Sequence, residues 1–390
     1  MAWIPCQNMQ CSEEDPIRKM AAYVNSDTIR FDIGEPDICP PQHINEAIKK
    51  AMDEGRIKYS PTGGIKRLKE LTAEYYSGLF EKTVKPNQVV MTNGATEAIS
   101  STIAAHVEPG DKVLYPNPHF PKYVSFIKDA RAIPIPINIR TKTKQLDIFT
   151  LKLTELEEVV KEHKPKIAIL NFPGNPAGNE ECEAILEDAL EICNENNVGV
   201  ISDEVYNRYV YEVKHVPIGK LSDNVITVDA PSKTFAMTGW RLGCAIAPNE
   251  EIAKNISKKQ SDRTTCPNTA AQYGLIAAYE NPEKSEEFIR QTVSEFRKRR
   301  DFLVRDLNCL KGVRCANPEG AFYAFPNIER TGMTSQQFTD LLVSEANVTT
   351  VPGSAFGNSG EGFTRFAYTT PIDKIAEASR RIKMAVESAS

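Results

Sequence analysis

The segment 166-KIAILNFPGNPAGNEECEAILEDALEICNENNVGVISDEVY-206 contains two short runs rich in β-branched and other apolar residues, Lys166–Phe172 and Val198–Asp203, on either side of a helical pattern. Over residues 180–196, Ala184, Ile185, Ala189, Leu190 and Ile192 fall on one face at the 3.6-residue period. A strand, a helix and a second strand in this order specify parallel strands with the helix packed across the sheet. Asn171-Phe172-Pro173-Gly174-Asn175-Pro176-Ala177-Gly178 is too rich in Pro and Gly to continue either element, so it is a shaped loop at a strand end.

The same alternation extends outward in both directions. Further strands are predicted at Gln88–Thr92, Lys112–Tyr115, Ala132–Ile137, Asn224–Val228 and Leu242–Ala247, which makes seven in a mostly parallel α/β sheet with helices on both faces. Beyond about residue 280 the pattern changes. A long amphipathic helix over Pro282–Leu307 carries Phe288, Ile289, Val293, Phe296, Phe302 and Leu303 as its stripe. Strands at Ala321–Phe325 and Thr364–Tyr368 and helices at Ser335–Ala346 and Asp373–Glu387 complete a smaller α+β unit. The length of 390 residues exceeds one core of about 150 and allows two or three domains. No repeat or linker separates them, so a tight interface is expected.

Composition narrows the function classes. A net charge of −5 without a basic block argues against a nucleic-acid partner. Nine cysteines, odd in number and without a CxxC pair, argue against a disulfide framework and for a reducing cytoplasm. Five histidines without HxH or HxxxH spacing argue against a metal site, and no apolar run nears the roughly 18 residues of a membrane span. The start, MAWIPCQNMQCSEEDP, lacks the pattern of an export signal.

In an open parallel sheet, ligands bind beyond the carboxyl ends of the strands. After Gln88–Thr92 come Asn93, Gly94, Ala95, Thr96 and Glu97, a tight turn into a helix N-terminus that suits a phosphate or is merely a capped βα turn. The Asn171–Gly178 loop can bond a ligand hydroxyl or close an Asx-turn. Asp203 is a strand-end carboxylate that needs donors or a cation, or serves as a helix cap. Ala230-Pro231-Ser232-Lys233-Thr234 and Thr238-Gly239-Trp240-Arg241-Leu242-Gly243 follow Asn224–Val228. There a lysine sheltered from water can lose its proton and act as an amine nucleophile, and Arg241 offers a fork for phosphate; a surface lysine is the plainer reading.

Taken together and in this order, these pieces resemble the class I and II aminotransferases, pyridoxal phosphate enzymes of fold type I. The resemblance runs from Gly34-Glu35-Pro36 through Tyr59, Asn93–Glu97, Asn171–Gly178, Ser202–Tyr206 and Ser232–Gly243 to Arg365. Its most specific piece is SKTFAMTGWRLG at 232–243. Rival phosphate motifs are missing: there is no GxGxxG after a strand and no Walker loop, and Gly357, Gly360 and Gly362 have the wrong spacing.

The resemblance implies that Lys233 bonds to the cofactor and then acts as base at the substrate's α-carbon, with Asp203 as partner of the ring nitrogen. It implies that Asn175 and Tyr206 bond the ring hydroxyl, that Phe120 stacks on the ring, and that Gly94, Ala95, Thr96, Ser232 and Arg241 cradle the phosphate. It assigns the substrate α-carboxylate to Arg365, assisted by Gly34 and Asn175. Tyr59 matches a tyrosine that reaches a neighbouring subunit's phosphate, so a homodimer is expected. Together with the change of pattern, the resemblance divides the chain into a large cofactor-binding domain, 43–280, and a small domain formed by 1–42 and 281–390.

Departures from the family pattern are Ala230 in place of a phosphate-binding Ser, and Gly174 and Ala177 in place of Asn and Thr. Residues 96–107 contain no Lys or Arg, so an acidic substrate side chain needs another cation; Arg18, Lys19, Lys58 and Arg208 are the candidates. The expected activity is transfer of an amino group from an L-amino acid to a 2-oxo acid such as 2-oxoglutarate by ping-pong kinetics, with aspartate favoured as donor over aromatic amino acids and alanine. A carbon–sulfur β-lyase and a non-catalytic cofactor-binding regulator are the alternatives.

Overall fold

A computed structural model describes residues 16–389; the rest of the expected N-terminal arm, with Cys6 and Cys11, lies outside the described residues. The central sheet has seven strands: β1 (Val89–Thr92), β2 (Lys112–Asn117), β3 (Ile133–Asn138), β4 (Ile167–Asn171), β5 (Gly199–Asp203), β6 (Val225–Asp229) and β7 (Gly243–Ile246). Their spatial order is β1-β7-β6-β5-β4-β2-β3. β7 pairs antiparallel with both β1 and β6, while every other neighbouring pair is parallel. Six strands therefore point their carboxyl ends to one edge of the sheet, where the chemistry-bearing loops emerge.

Burial on both faces explains why the strands are nearly all apolar. Val113, Ile169, Ile201 and Val228 face one helical layer, and Leu114, Ala168, Leu170 and Val200 face the other. The helix between β4 and β5 spans Glu183–Glu195 and begins three residues later than the periodicity predicts. Glu180 and Glu181 are instead drawn into side-chain bonds, Glu180 with His215 and Glu181 with Thr150.

The long helix runs Pro282–Asn308; Ile372–Ser388 packs beside it, and Ser335–Ala346 packs on Ile372–Ser388. Arg365 lies on the middle strand, Thr364–Ala367, of a three-stranded sheet completed by Tyr323–Ala324 and Val351–Pro352. The two-residue strand Ile29–Arg30 pairs in parallel with Val348–Thr349, which ties the early chain to the C-terminal segment. Tyr206 and Tyr209, from the loop after β5, are buried in the same cluster as Phe296, Phe322 and Phe366, so the two regions share one apolar contact. Among the described residues no helix is long and apolar enough to cross a membrane, and no group of metal-ligating side chains is found.

Candidate active site

Lys233 sits on a one-turn helix, Pro231–Thr234, directly after β6. Proline at its first position supplies the fixed φ a helix start needs, so the turn forms immediately at the strand end. The ammonium nitrogen donates to the Gly34 carbonyl at 2.6 Å and lies 5.6 Å from the centre of the Phe322 ring and 6.0 Å from that of Tyr206. Burial lowers its pKa to about 8; Glu35 and Asp203 oppose the shift, and Arg365 and Arg241 add to it. The residue is thus an amine that loses its proton close to neutral pH.

Asp203 ends β5 and is 4% exposed. It accepts 2.6 Å from the Tyr123 hydroxyl and 3.4 Å from the Val205 N–H, and burial raises its pKa to about 6. Phe120 meets Tyr123 edge-on at 5.5 Å, which joins the expected stacking residue to the carboxylate. Asn171, at the end of β4, donates to the Asp203 carbonyl and accepts from the Asn175 N–H, so it fixes the loop that follows.

That loop closes through Gly174 N–H to Asn179 O and Gly178 N–H to Gly174 O. A Cβ at Gly174 would fall 2.4 Å from the Asn179 side chain, so glycine here is what lets Asn179 fold under the loop. Asn175 accepts 2.9 Å from Arg365 Nη1, and Arg365 Nη2 donates 2.6 Å to the Asp32 carbonyl. Arg365 is 1% exposed and lies over the Tyr323 ring at 4.4 Å. Its guanidinium is therefore held flat before any ligand arrives, the condition for a two-bond grip on a carboxylate.

After β1, Gly94 has φ 83° and precedes the helix Ala95–His106. A Cβ at Gly94 would come within 2.5 Å of Arg241 Nη2, so the guanidinium packs on bare backbone. Ala95 and Thr96 contribute first-turn amides, which have no carbonyl partner four residues back. With Arg241, packed on Gly94, they form an anion cradle at the positive end of a helix dipole, and Ser232, buried on the one-turn helix after β6, is the hydroxyl expected to join it. Ala230 is buried before the one-turn helix and adds no hydroxyl to this cradle.

These residues fit pyridoxal phosphate on three separate counts. An anion cradle, a half-buried amine of lowered pKa, and a buried carboxylate bonded, among the described residues, to hydroxyl and amide donors answer its phosphate, its aldehyde and its ring nitrogen.

Tyr59 stands apart from the cluster and is 86% exposed. Arg208 turns away from it altogether, bonded to Glu286 at 2.6 and 3.0 Å and to Tyr75, so it drops out as a candidate cation. Arg18 and Lys19 are exposed on the short helix Pro16–Lys19, whose Ile17 packs on the apolar cluster containing Phe356. Lys58 is exposed beside Tyr59.

Tyr323 and Tyr123 belong to this site and were not singled out from the sequence. The Tyr323 hydroxyl bonds that of Tyr206 at 2.7 Å, its ring supports Arg365, and a Cβ at Gly34 would lie 2.0 Å from its oxygen. Within the run Ala321–Phe325 nothing local separates Tyr323 from the core aromatics; the signal is the contact with Gly34, which only the fold supplies.

The family profile described as Aminotransferase class I and II matches residues 26–382. The chain is 36% identical to the aspartate aminotransferase of Pyrococcus horikoshii over 93% of this chain and 91% of that one. It is also 36% identical to aromatic-amino-acid aminotransferase 2 of Thermococcus litoralis, over 91% and 90% of the two chains. The solved structure of the aspartate aminotransferase from Thermus thermophilus with maleate superposes with a TM-score of 0.91 at 27% identity, covering 99% of this chain and 100% of that one. With this fold and these relatives, the chain belongs to the class I and II aminotransferases of fold type I.

Proposed function

We propose that this aminotransferase uses pyridoxal phosphate to move the amino group of an L-amino acid, aspartate foremost, to a 2-oxo acid such as 2-oxoglutarate in two half-reactions. The observation that carries the reading is the half-buried Lys233 amine, of pKa about 8, standing among Asp203, Tyr206 and Arg365. Bound pyridoxal phosphate supplies an aldehyde that takes up the amino group and a ring that accepts the electron pair left at the α-carbon.

The chain's own residues do the rest. Arg365, fixed by Asn175 and the Asp32 carbonyl, grips the substrate carboxylate and sets the angle at which the α-carbon faces Lys233. The neutral form of Lys233 takes and holds the α-proton; a lysine of ordinary pKa would be almost wholly protonated at neutral pH. Asp203, ionised above about pH 6, keeps a proton on the nitrogen facing it. Tyr206 and Asn175 serve the ring hydroxyl, and Phe120 holds the ring plane. Gly94, Ala95, Thr96, Ser232 and Arg241 hold the phosphate, with Tyr59 of a second subunit in a homodimer. Residues 43–280 form the large domain, and 1–42 with 281–390 the small one, in a cytoplasmic enzyme.

Aspartate is favoured because several relatives are named as aspartate aminotransferases. A donor panel of aspartate, tyrosine, phenylalanine and alanine against 2-oxoglutarate tests this reading. Aspartate should give the highest kcat/KM, with parallel double-reciprocal lines. Lys233→Ala should lower turnover about 10³-fold or more; unchanged transamination in that variant would overturn the proposal.

A further inference from the structure

A second cavity, of about 560 Å³, lies behind the lysine-bearing turn. Ala230, Pro231, Thr234 and Phe235 line it, but Ser232 and Lys233 do not, so it is on the opposite side of the turn from the site described above. Its far wall is the junction at Asn281, where the helix Thr269–Glu280 ends and Pro282–Asn308 begins. The volume suits a small organic ligand.

The lining sets the chemistry of the occupant. It contains two arginines and four carboxylates. Arg67 is paired with Glu280 at 2.9 Å and Arg208 with Glu286 at 2.6 Å. Each arginine is thereby neutralised by a rim carboxylate, leaving Glu74, exposed at the mouth, and Asp229, at the end of β6, as the two remaining acids. Asp229 accepts from the Tyr76 hydroxyl, Asn207 Nδ2 and the Ala230 N–H. It is deeply surrounded yet still reached by solvent through the cavity. Tyr75 and Tyr279, with ring centroids 5.3 Å apart, add π-faces, and Leu71 and Leu275 add apolar wall. Aromatic faces combined with a net negative lining recognise an organic cation and disfavour an anion.

We propose that this cavity is a binding site for a small alkylammonium cation, with its charged head toward Asp229 and the tyrosines and its alkyl part against the leucines. Because its floor is the turn that presents Lys233 and its wall is the junction with the long helix, occupancy bears on both from outside the reaction centre.

The test is calorimetric titration of the holoenzyme with choline, whose quaternary nitrogen cannot condense with an aldehyde, and with its neutral carbon isostere 3,3-dimethylbutan-1-ol. The expected result is saturable choline binding, one site per chain, with the isostere about tenfold weaker or worse. Glu74→Lys, an exposed change, and Asp229→Asn should each weaken choline about tenfold, while Arg365→Lys in the reaction site should leave its affinity unchanged. If Asp229→Asn does not fold, Tyr75→Leu takes its place. Equal binding of the neutral isostere, no saturable binding, or undiminished choline affinity in Glu74→Lys and in the second variant would overturn the proposal. Loss of binding in Arg365→Lys would do so as well, by placing choline in the reaction site.

Discussion

Asp203→Asn should make the cofactor-free protein more stable while crippling the enzyme. Burial raises the Asp203 pKa from 3.8 to about 6, with Tyr123 and Val205 as its side-chain carboxylate's donors among the described residues, so the ionised form is disfavoured in the folded chain. A shift of about two units corresponds to roughly 3 kcal/mol at about 1.36 kcal/mol per unit. The folded state binds the proton more tightly than the unfolded one. The Asp203 contribution to stability is therefore greatest below pH 3.8, falls as pH rises through about 6, and is level above. Asparagine keeps a carbonyl oxygen for the Tyr123 hydroxyl but carries no charge. At pH 8 the variant without cofactor should melt about 4 °C higher, taking an unfolding entropy near 0.8 kcal/mol/K for a chain of this size. Near pH 4 the two proteins should melt together. Scanning calorimetry on both, stripped of cofactor, across pH 4–8 measures this directly. With cofactor bound, kcat should fall about 10²-fold or more, because the facing nitrogen loses its anion. A variant that is less stable at pH 8, or whose gain is the same at pH 4, would refute the idea that an unpaired buried charge is stored here for the cofactor.

Arg365→Lys should raise KM for amino acid and oxo acid alike by about 10–100-fold, because a point charge cannot make the two parallel bonds of a guanidinium; steady-state kinetics with each substrate checks it. Tyr323→Phe leaves the Tyr206 hydroxyl without its 2.7 Å partner, so the pH at which the absorption of the bound cofactor changes should move while the fold, read by circular dichroism, stays intact. Gly34→Ala puts a methyl group where the Tyr323 hydroxyl stands and should lower kcat/KM at least about tenfold through the displaced Lys233 and Arg365 contacts. Burial works to lower the His215 pKa, but bonds to Glu180 and Glu204 outweigh it and bring it to about 10. Its contribution to stability is complete below pH 6.5 and lost as pH rises through about 10, so its share of the melting temperature should drop across pH 6.5–10, and His215→Gln should flatten that drop.

What the sequence could disclose follows from the range of each interaction. Six of the seven central strands were legible because strands buried on both faces are continuous apolar runs, and the edge strand Ile133–Asn138, exposed at Ile133, was legible from its recurring isoleucines instead. Lys233, Asp203, Asn175 and Gly94 were legible as a group because Asp203 ends a strand and each of the others follows a strand end by a few residues. The parallel sheet then converts order along the chain into proximity. The two-residue strands Ile29–Arg30, Val348–Thr349 and Val351–Pro352 were not legible: they are too short for a periodicity, and their pairing joins residues more than 300 positions apart in one case. The same limit hid Tyr323. Its role consists of contacts to Tyr206, Gly34 and Arg365, none of them its sequence neighbour, and in a run as buried as Ala321–Phe325 a functional phenol and a packing ring leave the same local pattern. Arg208 errs in the opposite direction. It lies two residues beyond Tyr206, close to the site in the chain, yet its side chain leaves by the other side of the loop to meet Glu286 on the long helix. Proximity along the chain thus locates a group at the sheet edge but not the side of the loop it serves, and that choice is made by partners which the sequence alone does not pair.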